Sequence, residues 1–224
     1  FLGGNMKKLL VGFICTLFLT INVTTGEAAK LEPDETLVEL GGSFDAKASA
    51  KGAIPEEVDV KSGYKLSITH ALNDNLSLQY KRSDFKSEEK NVIGITTHAK
   101  AILNDINLIY KANNYIDLVF GYEDNEFSYG KAVSPATKST LHFGLTAHTD
   151  LNDKTMLFGT YLKGKDVSLS EIGIKYDLTK NSVVTVSYIE REVNDMDVDI
   201  DLYNLHTKAD YKLSGLSLMY GLKF

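Results

Sequence analysis

The sequence predicts an all-β fold, an antiparallel up-and-down barrel for which ten strands is the simplest count. Apolar and polar residues alternate with a period of two along most of the chain, which is typical of strands with two different faces. Tight polar turns alternate with longer, charged connections. Only three prolines interrupt a chain that holds 12 tyrosines and 10 phenylalanines. These features fit a single β domain.

The clearest alternation lies at the C-terminal end of the sequence, in residues 216–224. Small or polar residues separate large apolar ones, which predicts a strand with one wholly apolar face. The apolar positions are Leu216, Leu218, Tyr220, Leu222 and Phe224. We interpret this stretch as the strand that closes the barrel.

The first strand is predicted over residues 37–47, followed by a loop over residues 48–59 that contains Gly52 and Pro55. In this strand the alternation assigns five residues to the apolar face: Val38, Leu40, Gly42, Phe44 and Ala46.

A unit of two strands and a tight turn then recurs about four times. The predicted turns lie at residues 73–75, 112–114, 152–154 and 179–181, and they are rich in Asn and Asp. These residues tolerate positive φ and bond to their own backbone, so they suit tight turns. Four such hairpins, the first strand and the closing strand make ten.

The connections between the hairpins are longer and more charged. They are predicted at residues 83–91, 123–137, 164–170 and 193–201. Short turns at one end and longer loops at the other are typical of transmembrane β-barrels. We interpret residues 93–110 as one long strand, because a split at Asn104–Asp105 would move the loop 123–137 to the wrong end. Residues 197–213 could likewise be read as one long strand or as two. Twelve strands is therefore the first alternative and eight the second.

The N-terminal region predicts a secretory signal. Lys7 and Lys8 precede an uncharged apolar run at residues 9–21, and small residues at Gly26 and Ala28 suit cleavage after residue 28. We therefore interpret residues 1–5 as an incorrectly assigned start, 6–28 as the signal peptide and 29–224 as one barrel domain. Because Cys15 is the only cysteine, the exported chain has no thiol, which excludes cysteine-based catalysis and cysteine-based zinc binding.

With its signal peptide and its terminal strand ending in Phe224, the sequence resembles the small, porin-like outer-membrane β-barrel proteins of bacteria. The resemblance implies residence in the outer membrane, with its lipid and lipopolysaccharide as partners. It also implies that the barrel-assembly machinery reads the terminal strand. Removing Lys7, Lys8 and Glu27 from the 24 basic and 30 acidic residues leaves 22 and 29, a net charge of −7. This balance argues against a nucleic-acid partner.

The polar faces of the strands suit a narrow wet interior, for which Lys65, Gln79 and Lys175 are the lumen candidates. Barrels of eight strands are filled by side chains and those of 16–18 hold a channel, so ten strands predict at most a narrow lumen. We therefore favour a non-enzymatic barrel that passes ions or very small solutes.

Two alternatives depend on the connections. Adhesion or envelope interaction would use an acidic segment formed by Asp195, Asp197, Asp199 and Asp201. A rim hydrolase, similar to the ten-stranded outer-membrane proteases, would use His98 or His206 beside these carboxylates. Alternate residues of a strand lie about 7 Å apart, too far to surround one ion. The sequence thus indicates no catalytic, metal or cofactor site.

Overall fold

The computed structural model describes residues 30–51, 56–92, 95–130, 133–200 and 205–224. Its strands are β1 (Thr36–Lys51), β2 (Glu56–Asn73), β3 (Leu76–Ser87), β4 (Lys90–Val92), β5 (Ile95–Thr97), β6 (Ala99–Lys111), β7 (Ile116–Tyr129), β8 (Val133–Asn152), β9 (Thr155–Gly164), β10 (Val167–Thr179), β11 (Ser182–Ile200) and β12 (Leu205–Lys223). All except β4 and β5 form one closed antiparallel barrel, in which β12 pairs with β1. This confirms the ten-stranded, up-and-down barrel over the alternatives of 12 and eight. None of the residues described forms a helix long and apolar enough to cross a membrane.

Several predicted loops are wrong, because the strands continue through them. The connection predicted at 164–170 is a two-residue turn between β9 and β10, and β11 runs through residues 193–200. Likewise, β7 and β8 take up most of residues 123–137. Most charged residues in these segments, such as Asp124 and Asp197, occupy outward positions while alternate apolar residues point inward, so their charge indicated exposure and not the absence of a strand. Glu123 is the exception, because its side chain is inward and buried.

The single strand predicted over residues 93–110 is partly wrong. Residues 93 and 94 lie outside the described residues, and β5 pairs with β4 in a separate two-stranded sheet. Strand β6 begins after His98 and continues past Asn104 and Asp105 without a break. The prediction that the strand is unbroken at Asn104–Asp105 is therefore confirmed, and the β4–β5 hairpin lies outside the barrel.

A bulge in β1 reverses the predicted orientation of Ala46. The pairing with β12 shifts between Phe44 and Lys47, and Asp45 has a φ of 47°. Phe44 is exposed, as the alternation predicts, whereas Ala46 is buried at 3% exposure. The extra residue of a bulge changes the phase of the alternation, so residues beyond it face the opposite side.

The outer surface carries a continuous apolar belt. On β7, the residues Ile116, Leu118, Phe120 and Tyr122 are exposed, and the next outward residue is Asp124. The same transition recurs on most other strands, for example between Tyr188 and Glu190 on β11. Soluble monomers rarely expose a contiguous apolar surface of this size, whereas such a band is the lipid-facing surface of transmembrane barrels.

The two ends of the barrel differ. The end that holds the four tight turns also holds the chain ends of the barrel, and we call it the terminal end. There Thr36 N donates to Phe224 O over 3.0 Å and Phe224 N donates to Thr36 O over 2.9 Å. We call the opposite end the rim.

The interior changes character at the rim. Inside the belt the inward residues are largely polar, but toward the rim they form an apolar cluster, which we call the rim core. Its buried members are Phe85, Ala101, Leu103, Phe127, Ala136, Val167, Val193, Met196, Val198 and Leu213. Tyr211 packs against this cluster and stacks on Phe127, with 4.4 Å between ring centroids. The rim therefore has the apolar-inside arrangement of a soluble barrel.

A short hairpin explains why the barrel closes at the rim. Strands β9 and β10 end at the turn containing Asp166, whereas β8 and β11 continue and contact each other beyond it. Lys138 Nζ donates to Asp166 Oδ2 over 3.0 Å and to Asp195 O over 3.3 Å. Asn194 N also donates to Asp166 O over 2.7 Å. These bonds join β8, the β9–β10 turn and β11, and so narrow the rim.

Candidate functional site: the barrel interior

Arg191 crosses the lumen. It lies on β11, five places in the ring of ten strands from β6, so the two strands face each other. Its guanidinium donates to both oxygens of Asp105 on β6, with Nη2 to Oδ2 at 2.6 Å and Nη1 to Oδ1 at 3.0 Å. Arg191 is 4% exposed and Asp105 5%. This bidentate ion pair connects the two opposite walls of the barrel.

Two residues of β7 join this ion pair. Glu123 is the cross-strand partner of Asp105, and like charges in such a position repel each other. Arg191 Nη1 lies 3.4 Å from Glu123 Oε2 and donates to Asn125 Oδ1 over 3.0 Å. One guanidinium therefore contacts both carboxylates and offsets their repulsion.

A second ion pair also crosses the lumen. Lys81 on β3 and Glu171 on β10 lie on strands that are likewise five places apart in the ring. Lys81 Nζ is 3.5 Å from Glu171 Oε2, and the Glu171 carboxyl is nearly buried. The predicted lumen residue Lys65 points inward on the neighbouring β2 and is 8% exposed.

A row of polar side chains follows one register line of the sheet. His142 Nε2 and Asn107 Oδ1 are 2.7 Å apart. Asn107 Nδ2 then donates to Gln79 Oε1 over 3.2 Å, and Gln79 Nε2 donates to Thr69 Oγ1 over 3.0 Å. Gln79 is thus held between two strands as part of the inner wall.

Some buried polar atoms beside this row lack a hydrogen-bond partner within the described part of the chain. They include Glu123 Oε1, Asn125 Nδ2 and His142 Nδ1. His142 Nδ1 faces Glu123 Oε2 at 3.6 Å, and both side chains are almost fully buried. One possible ligand atom from each of Asp105, Glu123 and His142 lies within 4.8 Å of the other two.

A cavity of about 540 Å³ occupies the lumen and is lined in part by Asp105, Asn107 and Arg191. It extends from the turn residues Asp74 and Asn75 at the terminal end to Phe85 and Leu213 of the rim core. The three sequence-predicted lumen candidates, Lys65, Gln79 and Lys175, all line it.

Near the terminal end, ionic and hydrogen-bonded contacts join inward side chains of strands two or three places apart in the ring. Lys175 Nζ lies 4.0 Å from Glu39 Oε2, and Thr185 Oγ1 donates to Glu39 Oε1 over 2.7 Å. Lys223 Nζ lies 3.5 Å from Asp177 Oδ1.

The sequence-predicted acidic segment lies at the rim, on the hairpin of β11 and β12. Asp195, Asp197 and Asp199 are exposed, while Met196 and Val198 between them are buried in the rim core. Asp195 is the bulge residue, with a φ of 59°. Asp201 lies outside the described residues.

The structure brings His206 to these carboxylates. His206 Nδ1 donates to Asp199 Oδ1 over 2.6 Å, and its Nε2 lies 3.9 Å from Asp197 Oδ1. The hydrogen bond that His206 donates to Asp199, together with the negative charge of Asp199, raises the pKa of His206 above its ordinary value. His98 lies instead at the start of β6, on the opposite side of the ring from β11. Its carbonyl accepts a bond from Gly130 N.

The residues predicted to form the assembly signal lie on the lipid-facing side of β12. All are exposed by 41% to 73%, with Phe224 the most exposed. The set is Leu216, Leu218, Tyr220, Leu222 and Phe224.

The interior cluster of Arg191, Asp105, Glu123 and His142 was missed by the sequence analysis. One available signal was composition, because Arg191 is one of only two arginines in the chain. A second was periodicity: Glu123 continues the inward positions of β7 two residues after Gly121, but it had been assigned to a loop.

A solved structure with similar architecture is an outer-membrane protein. The outer membrane protease OmpT from Escherichia coli superposes with a TM-score of 0.61 and 11% identity, over 89% of this chain and 100% of that one. The chain has the fold of a bacterial outer-membrane β-barrel.

Weaker similarity to this barrel is found in two further proteins. The outer membrane protein OprG from Pseudomonas aeruginosa has a TM-score of 0.44 and 13% identity, over 89% of this chain and 99% of that one. The attachment invasion locus protein Ail of Yersinia pestis has a TM-score of 0.41 and 13% identity, over 86% and 99%. No protein-family model and no curated protein matches the barrel in sequence.

Proposed function

We propose that the chain is an integral protein of the bacterial outer membrane that acts at the cell surface. The apolar belt and the fold support the location. In barrels of this kind the short turns lie in the periplasm, so the terminal end faces the periplasm and the rim faces outward. Export would depend on the signal peptide inferred for residues 6–28.

The observation that carries the surface function is the closure of the lumen. The sequence favoured a narrow pore, but the Arg191–Asp105 and Lys81–Glu171 ion pairs cross the lumen. Beyond them the rim core fills the barrel with apolar side chains. Ions have no hydrated path through such a core, because moving a charge into apolar surroundings is strongly unfavourable. This arrangement supports a barrel closed toward the outside.

The part of the barrel best placed to meet a partner is the β11–β12 hairpin. It presents Asp195, Asp197 and Asp199 to solvent on strands of 19 residues each. Its acidic face fits a positively charged partner at the cell surface, so adhesion or envelope interaction is the function we favour.

We further propose that the barrel is not an enzyme. Asp199 and His206 are direct cross-strand partners on one hairpin, and their side chains are 63% and 68% exposed. Catalytic groups ordinarily act within a cleft that positions the substrate and excludes water. The space between the rim walls is filled instead by the rim core, and the likeness to OmpT concerns the fold alone.

The decisive experiment is single-channel recording of the refolded barrel in a planar lipid bilayer. We expect no discrete conductance steps, with folding verified by the heat-dependent shift in gel mobility. Reproducible, cation-selective steps from folded protein would overturn the closed-lumen proposal and restore the narrow pore.

The surface role is tested by charge variants. We expect Asp197→Asn/Asp199→Asn to weaken binding of barrel-displaying cells to an immobilised polycationic peptide at low salt. The matched control is Asp74→Asn/Asp153→Asn, which removes the same charge from terminal-end turns. Equal binding by both variants would count against a role for the acidic hairpin.

A further inference from the structure

The cluster of His142, Glu123 and Asp105 has unmet bonding capacity. Glu123 Oε1 and His142 Nδ1 have no hydrogen-bond partner in the described part of the barrel, and both side chains are 98% or more buried. Leaving a buried polar atom without a hydrogen-bond partner is unfavourable, because its desolvation is not compensated. Buried groups of this kind ordinarily bond to something, such as water or an ion.

The orientation of His142 suits a metal ligand. Asn107 Oδ1 accepts the bond from Nε2–H at 2.7 Å, while Asn107 Nδ2 is committed to Gln79 Oε1 at 3.2 Å. This arrangement places the proton on Nε2 and leaves the lone pair of Nδ1 directed toward Glu123. Metal-binding histidines commonly hold their other ring nitrogen in such a hydrogen bond, which fixes the tautomer.

The carboxylates retain capacity for a cation. Glu123 turns Oε2 toward Arg191 at 3.4 Å and leaves Oε1 available. Asp105 binds Arg191 through both oxygens, but each carboxylate oxygen has a second lone pair. Arg191 contacts both groups and so holds them in place.

We propose that this cluster binds one divalent transition-metal ion of the Zn²⁺ type through His142 Nδ1, Glu123 Oε1 and a carboxylate oxygen of Asp105. An imidazole ligand favours such ions over Mg²⁺ and Ca²⁺. Three protein ligands leave a fourth position for water, and the unpartnered Nδ2 of Asn125 is available to donate to it. The ion ties β6, β7 and β8 together inside the barrel.

The first test is metal content. The barrel is refolded with ZnCl₂, dialysed against a weak chelator and analysed by mass spectrometry. We expect one Zn²⁺ per wild-type barrel and a loss of about tenfold or more in His142→Ala and Glu123→Gln. His206→Ala is the matched control, since it removes an exposed His–carboxylate pair, and it should keep the ion. A wild type without retained Zn²⁺, as expected for a cluster that binds only water, would overturn the proposal. Full retention by both His142→Ala and Glu123→Gln would also overturn it.

A second test does not depend on how the variants fold. Wild-type barrel loaded with Co²⁺ should show nitrogen and oxygen ligands, including one imidazole, by X-ray absorption. Absence of the imidazole signal would overturn the assignment.

Zn²⁺ should also raise the temperature of the heat-dependent mobility shift in wild type and in His206→Ala, because a ligand of the folded state stabilises it. It should not do so in Glu123→Gln, which preserves the shape of the side chain.

Discussion

His142 Nε2 lies 2.7 Å from Asn107 Oδ1 although the two residues are on β8 and β6, with β7 between them. Both are register neighbours of Gly121 on β7. A Cβ atom at position 121 would collide with Asn107 Oδ1 and would lie 2.6 Å from His142 Nε2. The hydrogen bond across a full strand is possible because Gly121 has no side chain.

We therefore predict that Gly121→Ala destabilises the barrel. The added methyl group would also lie 2.5 Å from the carbonyl of Ile106, so backbone as well as side chains must shift. Overpacking of this kind costs about 1–3 kcal/mol. Urea unfolding followed by circular dichroism measures it, since the chain has no tryptophan. An unchanged midpoint of urea unfolding would contradict the tight packing of the polar row from Thr69 to His142.

Removing Arg191 should be more costly. Arg191→Leu leaves the Asp105 and Glu123 carboxylates buried without their shared cation, and breaking a buried pair in this way costs about 3–5 kcal/mol. The control is Lys212→Ala, because Lys212 pairs with Glu190 at 2.7 Å but is 38% exposed. Such surface pairs contribute at most about 1 kcal/mol. Similar unfolding midpoints for the two variants would contradict a stabilising role for the ion pair across the lumen.

The fold could be predicted from sequence because its signals are local. Alternation defines each strand, and Asn- and Asp-rich turns such as residues 73–75 separate them. The ends of the strands were harder to place, since a charged outward residue such as Asp124 suits a loop and the solvent-exposed end of a strand equally well. Bulges at Asp45 and Asp195 shift the alternation of inward and outward residues by one position, and no local sequence pattern revealed them.

The interior cluster could not be assembled from sequence, because its contacts are long-range. Arg191 and Asp105 are 86 positions apart, and they meet only because closure of the ring places β11 opposite β6. Lys65 was identified because it lies on the polar face of a predicted strand, which suits a wet interior. Glu123 meets the same criterion once β7 is known to continue to Tyr129.

The exposed ring of Phe224 gives a separate prediction about assembly. Phe224→Ala keeps both backbone bonds to Thr36 and removes only a ring that is 73% exposed. We expect less folded barrel in outer membranes but near-normal refolding of the purified chain, if the assembly machinery reads the ring. Phe143→Ala, which removes another lipid-facing ring that is 68% exposed, is the control. Wild-type amounts of inserted Phe224→Ala would contradict the predicted signal.

The rim hairpin should respond to pH through His206. Its pKa is raised by the hydrogen bond and the charge of Asp199, so the imidazolium persists above the ordinary pKa of histidine, near 6.5. The pair with Asp199 therefore contributes fully below that ordinary pKa and is lost as pH rises through the raised value. NMR titration of the imidazole in detergent micelles should show the raised pKa.

Substituting the two neighbouring carboxylates one at a time shows how much each contributes to the raised pKa of His206. Asp199→Asn should return the pKa of His206 toward its ordinary value, while Asp197→Asn should lower it less, because Asp197 lies 3.9 Å from the ring. An ordinary pKa in the wild type, unchanged by Asp199→Asn, would contradict the observed pairing.

Deprotonation of His206 makes the net charge of the hairpin more negative. Attachment to a polycationic surface should therefore strengthen as pH rises through the His206 pKa, and His206→Ala should abolish that dependence.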